Sequence, residues 1–280
     1  MGYQIKIPSC VYSGMGSIED VQTILKQESA KKALVFTDKK VAGAGLLDKL
    51  LAVLERCSVD YRVFDELKPE PAYGDVEAVV EQMNREKGDI IIAIGGGSVM
   101  DAAKLCSLLK SSDYTVKDLL GDPLLASKQL KTVMIPTTCG TGSEATCNAI
   151  VAIPEEQSKK GIVNAEMIPD YVILDAQMIA GLPASIVAAT GVDALAHVVE
   201  CYTSRKATTL SDTYAAAGAK LIFRNIEEAY KNPSDMEAKN NMLLGAFYGG
   251  VAITGSGTTA VHALSYPLGG KYHIPHGVSN

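Results

Sequence analysis

The chain has 280 residues, 47% apolar and 21% charged, and 26 Lys and Arg against 32 Asp and Glu give a formal charge of -6. This composition excludes a disordered or collagen-like chain, and its acidic balance lacks the electrostatic footprint of a general nucleic-acid binder. Six cysteines without a CxxC pair read as reduced thiols of a cytoplasmic protein. No run of about 18 unbroken apolar residues predicts a membrane span. The first eight residues show neither the apolar stretch of a leader nor a myristoylation pattern, since position six is Lys6.

In chain order, residues 4–7 and 11–12 predict short edge strands, and residues 17–27 a helix with Ser17 as its cap. Gly14-Met15-Gly16 lacks the third glycine of a dinucleotide fingerprint and reads as a turn. Strands at 33–37, 60–64, 89–94, 131–135 and 171–174 alternate with helices at 46–56, 73–86 and 99–110. Their unbroken aliphatic runs suit a parallel sheet buried on both faces. Beyond Pro183, which opens a helix, segments 212–225, 236–254 and 256–268 keep a 3.6-residue apolar period, with no strand after Leu174. The expected fold is an α/β domain with a parallel sheet followed by an all-α domain, dividing near 176–182.

Two loops follow predicted strands. Gly95-Gly96-Gly97-Ser98 precedes a helix whose unpaired N–H groups and dipole favour an anion, with Asp101 in the first turn. Pro136-Thr137-Thr138-Cys139-Gly140-Thr141-Gly142-Ser143-Glu144 lies at the same sheet rim, where ligands of open α/β sheets bind. Each loop alone also reads as a plain turn; together they favour a nucleotide. Asp38, just past a strand, is placed to accept from an adenosine ribose and to repel a 2′-phosphate, favouring NAD over NADP.

All four histidines fall in the last third: His197, His262, His273 and His276. Asp193 and His197, four apart on an apolar helix, share one face. With His262 and His276 they make one carboxylate and three imidazoles, a donor set for Fe²⁺, Zn²⁺ or another divalent transition ion. Glu200, one turn beyond His197, reads as a solvated helix-face residue or as a partner behind a ligand. His273 is a further ligand, a proton shuttle or a loop histidine.

Together the glycine loop with Asp101 and Lys104, the loop 136–144, Gly191 through His197, His262 and Pro275-His276-Gly277 resemble the iron-containing (group III) alcohol dehydrogenases. The resemblance runs from the first strands to the last residue. It implies an NAD-binding α/β domain over 1–178, a helical metal-binding domain over 179–280 with its C-terminal part missing, and an active site between them. It implies Asp193, His197, His262 and His276 as ligands of Fe²⁺, and NAD against Gly95, Gly96, Gly97, Ser98, Thr137, Thr138 and Thr141. Lys160, or alternatively Lys159, matches a basic residue near the cofactor. Many members carry a histidine where this chain has Tyr266, so Tyr266 or His273 is the expected proton relay. The implied activity is hydride transfer between NAD(H) and small alcohols or aldehydes, in a homodimer. A polyol dehydrogenase, a dehydroquinate-synthase-like relative and an inactive metal- or nucleotide-binding protein remain as alternatives.

Overall fold

The computed structural model describes residues 2–272 and 274–280. Its first part contains β1 (Cys10–Ser13), α1 (Val21–Gln27), β2 (Lys32–Phe36), α2 (Lys39–Gly43), α3 (Leu46–Arg56), β3 (Asp60–Phe64) and α4 (Tyr73–Asn84). It continues through β4 (Ile90–Gly95), α5 (Gly97–Leu109), α6 (Val116–Gly121), β5 (Lys131–Pro136), β6 (Asn148–Ile153), β7 (Ser158–Val163) and β8 (Tyr171–Leu174). Six of these strands form one sheet in the order β1-β8-β5-β4-β2-β3, with every pairing parallel.

The aliphatic strands are buried because helices cover both faces. Successive side chains alternate between them. Ala33, Val35, Ile90, Ile92 and Ile94 pack with Ile24 of α1 and Leu50 and Leu54 of α3. Leu34, Phe36, Ile91 and Ala93 pack with Met83 of α4 and Leu105 and Leu108 of α5. Each Val, Leu, Ile, Phe or Met side chain among these contributes about 1.5–3 kcal/mol on burial.

Two local expectations differ from the structure. Residues 4–7 form no strand, and only β1 lies at that edge. Ser17 does not cap α1: a 3-10 turn over Ser17–Asp20 intervenes, led by Gly16 in the left-handed region. The short helices α2 and α6 and one hairpin were not anticipated. β6 and β7 form an antiparallel hairpin, and β6 alternates buried and half-buried residues as a one-sided strand does.

After β8 the described chain is helical: α7 (Ala184–Thr203), α8 (Thr209–Lys231), α9 (Met236–Ser256), α10 (Ala260–Tyr272) and α11 (His276–Ser279). α7 follows Pro183, which sits at the cap position. Thr208 and Asp235 cap α8 and α9 by accepting from Ser211 N and Ala238 N. A second core joins Val187, Ala194 and Val198 of α7 to Ile222 of α8 and Met242, Leu243 and Val251 of α9. By length and composition α7 would pass for a membrane span, yet it buries Asp193, His197 and Glu200 on its inward face.

Candidate active site

From β2 the chain runs outward to β3 and returns to β4 on the other side of β2, so the strand order reverses there. A crevice opens beyond the carboxyl ends of strands at such a point. A cleft of about 310 Å³ is lined by Gly96, Gly97, Ser98, Thr138 and Thr141 of the two loops and by Asp193, His197, His262, Tyr266 and His276. The two loops and the histidine cluster, far apart in sequence, thus share one cavity.

Local geometry explains the loops. α5 begins at Gly97, two residues earlier than expected, so Gly97 and Ser98 lie in its first turn, where backbone N–H groups lack helical partners. A Cβ on Gly97 would fall 2.7 Å from Thr141 Cγ2, so only glycine lets the two loops close together. Thr137 lines no part of the cleft; its N–H donates to Gly95 O at 2.9 Å and ties the loops. Ser98 Oγ accepts from Glu70 N at 2.9 Å.

Asp101 borders the cleft, but the protein itself engages both its oxygens. Oδ1 accepts from Ser143 Oγ at 2.5 Å and lies 2.9 Å from the fully buried Lys104 ammonium; Oδ2 accepts from Ile150 N at 2.9 Å. Asp101 therefore clamps α5, the threonine loop and the hairpin together instead of offering a ligand an open acceptor. Asp38 stands outside the cleft lining and caps α2, with Oδ1 accepting from Lys40 N and Val41 N at 2.8 and 2.9 Å. Of the two lysines, Lys160 points outward to Glu156 at 2.6 Å, whereas buried Lys159 lines the cleft and pairs with Glu70 at 2.7 Å. Strand alternation in β7 decides between these neighbours, and the hairpin was invisible to the sequence reading.

Asp193 and His197 come from α7, His262 from α10, and His276 opens α11. One donor atom each of Asp193, His262 and His276 lies within 4.8 Å of the others. Asp193 Oδ1 is 3.5 Å from His262 Nε2, 3.6 Å from His276 Nε2 and 3.9 Å from His197 Nδ1. The His197 ring stacks on His262 at 4.3 Å, and its buried Nδ1 has no hydrogen-bond partner among the described residues. The Asn280 amide nitrogen sits among three acceptors, 2.5 Å from Asp193 Oδ1 and 3.3 Å from each of His262 Nε2 and His276 Nε2. A donor takes the place where these lone pairs converge, as a cation would. The residues present fit a divalent ion on that ground.

The states of Asp193 and His197 agree, whereas burial pushes His262 down but its hydrogen bonds to Asp193 and Glu200 outweigh this and raise it. Burial pushes the Asp193 carboxyl up, but the imidazoles around it outweigh this and hold it below its ordinary range. Burial pushes His197 down to about 4, leaving a neutral ring at physiological pH. Ionised carboxylate and neutral imidazole are the ligand forms.

Glu200 is 4% exposed, which removes the solvated-surface reading. Its carboxylate meets the segment entering α10, with Oε1 accepting from Thr259 Oγ1 at 2.8 Å and Val261 N at 2.6 Å, and Oε2 2.5 Å from His262 Nδ1. The spacing 193, 197, 200 places all three on one helical face, a signal that was available in the sequence. Glu70, between Pro69 and Pro71 in a loop, carried none. Tyr266, one turn after His262, lies with its ring 6.0 Å from His276, and burial pushes its phenol up to about 12. His273 lies outside the described residues.

Fold and cleft together define an α/β protein whose dinucleotide-type crevice ends on a buried Asp–His cluster. The chain belongs to the iron-containing alcohol dehydrogenase family: that family's model matches residues 8–176, and the model of the Fe-containing alcohol dehydrogenase C-terminal family matches 187–280. It is 37% identical over 280 residues to long-chain-alcohol dehydrogenase 1 of Geobacillus thermodenitrificans, covering 99% of this chain and 70% of the relative. The crystal structure of a 1,3-propanediol oxidoreductase superposes with a TM-score of 0.94 at 31% identity, covering 100% of this chain and 73% of that one. Sulfoacetaldehyde reductase from Bifidobacterium kashiwanohense, solved in complex with NAD⁺, superposes with a TM-score of 0.92 at 29% identity, covering 100% and 74%.

Proposed function

We propose that this chain is a metal-dependent, NAD(H)-linked alcohol dehydrogenase acting as an aldehyde reductase on small substrates. The observation that carries the reading is the convergence of Asp193, His262 and His276 in the cleft that the glycine loop also lines. Asp193, His197, His262 and His276 would hold a divalent cation, Fe²⁺ or alternatively Zn²⁺. When bound, the cation supplies Lewis acidity toward the substrate oxygen, and NAD(H) supplies the hydride exchange.

The chain's own residues supply position and exclusion of water. The N-terminus of α5, with Gly96, Gly97 and Ser98, suits a pyrophosphate, and the Thr138 and Thr141 hydroxyls lie across from it. Lys159, paired with Glu70, brings a positive charge into the cleft; Lys160 points away. The phenol of Tyr266 stays protonated, so its hydroxyl serves as a hydrogen-bond donor at the metal end rather than as a base. The 3-10 turn Ala176–Ile179 supports a division into a cofactor-binding part over 1–178 and a metal-binding part over 179–280. The free cysteines support a cytoplasmic protein, and the edge strand β1, with exposed Val11, supports a homodimer through that edge.

Anaerobic purification, metal analysis and an NADH-oxidation panel over small aldehydes test the reading together. Stoichiometric iron or zinc with aldehyde-dependent NADH loss is expected. Metal-free protein with no such loss after loading would overturn it.

A further inference from the structure

We infer that Glu200 is a positioning residue that fixes the tautomer of His262 and so sets which of its ring nitrogens faces the Asp–His cluster; this rests on the metal-site reading above. His262 presents two nitrogens to two carboxylates: Nδ1 lies 2.5 Å from Glu200 Oε2, and Nε2 lies 3.5 Å from Asp193 Oδ1. In the neutral form that a ligand requires, the ring has one proton for both. Glu200 takes it. Its contact is the shorter, and its other oxygen is held by Thr259 Oγ1 and Val261 N, so the carboxylate cannot swing away. Nε2 is then left bare toward Asp193 and His276 Nε2, as a metal ligand must be.

The same carboxylate accepts the first-turn Val261 N–H of α10, an N–H with no partner inside its own helix. Glu200 therefore sets both the entry of α10 and the rotation of the ring that α10 carries. A glutamine has no orientation that serves all three partners. With its oxygen toward Thr259 and Val261, its NH₂ faces Nδ1, which drives the ring proton to Nε2 and blocks the ligand atom. With its oxygen toward Nδ1, its NH₂ opposes the Val261 N–H donor.

The test measures Zn²⁺ affinity by chelator competition for the wild type, Glu200→Gln, Glu200→Asp and Thr259→Val, alongside ¹⁵N-histidine NMR of the metal-free wild type, titrated upward in pH until the His262 ring is neutral. The expected results are Zn²⁺ affinity weakened about 10–100-fold in Glu200→Gln, partial recovery in Glu200→Asp, near wild-type affinity in Thr259→Val, and an Nδ1-protonated His262. A folded Glu200→Gln with unchanged Zn²⁺ affinity overturns the proposal, as does an Nε2-protonated His262 in the wild type. A purely structural role would lower thermal stability without moving either readout. Should Glu200→Gln not fold, the wild-type tautomer decides. A wild type that binds no Zn²⁺ overturns the metal reading, while the tautomer still reports on Glu200 separately.

Discussion

Glu144 is a carboxyl that the sequence placed in a pliable loop and the fold buries to 1% exposure, with Oε1 unpartnered among the described residues. Burial raises it from its ordinary 4.5 to about 7. A raised carboxyl binds its proton more tightly in the folded state, so its contribution is fullest below pH 4.5 and is lost as pH rises through 7. Glu144→Gln is expected to match the wild type in stability near pH 4 and to exceed it by roughly 3 kcal/mol at pH 8, read by urea unfolding across pH. A difference independent of pH would contradict this. Asp38 caps α2, and a contact with an adenosine ribose is the proposal to be tested there. Replacement by glycine removes a cap at a cost of a few tenths of a kcal/mol, and it is expected to raise the NADPH-to-NADH ratio of kcat/KM about tenfold, a ~1.4 kcal/mol change. An unmoved ratio would leave Asp38 with the cap alone. Residue chemistry at these places was legible: carboxylate after a strand, glycines before a helix, histidines on apolar segments. Burial was not, because Glu144 and Glu200 are polar letters whose surroundings come from segments about 60 to 100 residues away.

α9 shows why an element's position matters as much as its period. Its Gly250 packs on the backbone of Gly142, whose own φ of 60° lies in the left-handed region, so the threonine loop sits directly on this helix. A Cβ at Gly250 would collide with the Gly142 carbonyl and push the loop off α9. Gly250→Ala is expected to destabilise by about 1–3 kcal/mol and to weaken NADH binding by fluorescence titration. Unchanged binding and melting temperature would show that the loop does not depend on this contact. The helical period of α9 was readable from its sequence, whereas the tolerance for a methyl group was not. The hairpin β6–β7 escaped for a related reason. Its apolar run is short, its partner is antiparallel within an otherwise parallel design, and its fit is set by α5 beneath it, through Ile150 N and Asp101.

Helices α7, α10 and α11 converge on the side chains of the cluster, and α11 also packs Gly277 against the Ala189 carbonyl of α7, so a bound ion would add a tie among three elements at one point. Chelation is expected to lower the melting temperature of the loaded protein, corresponding to loss of about 2.7 kcal/mol if free metal had stood 100-fold above Kd, and to open the α10–α11 region to limited proteolysis. Identical cleavage patterns with and without chelator would argue against a shared ion. Order of elements, glycine loop and donor residues were all available from one chain of letters, since periodicity and residue chemistry are local properties. Which lysine enters the cleft, which glutamate lies behind a histidine, and where Asp193, His262 and His276 converge were not. Those depend on which surface covers which face, and covering is a property of distant segments brought together by the packed cores.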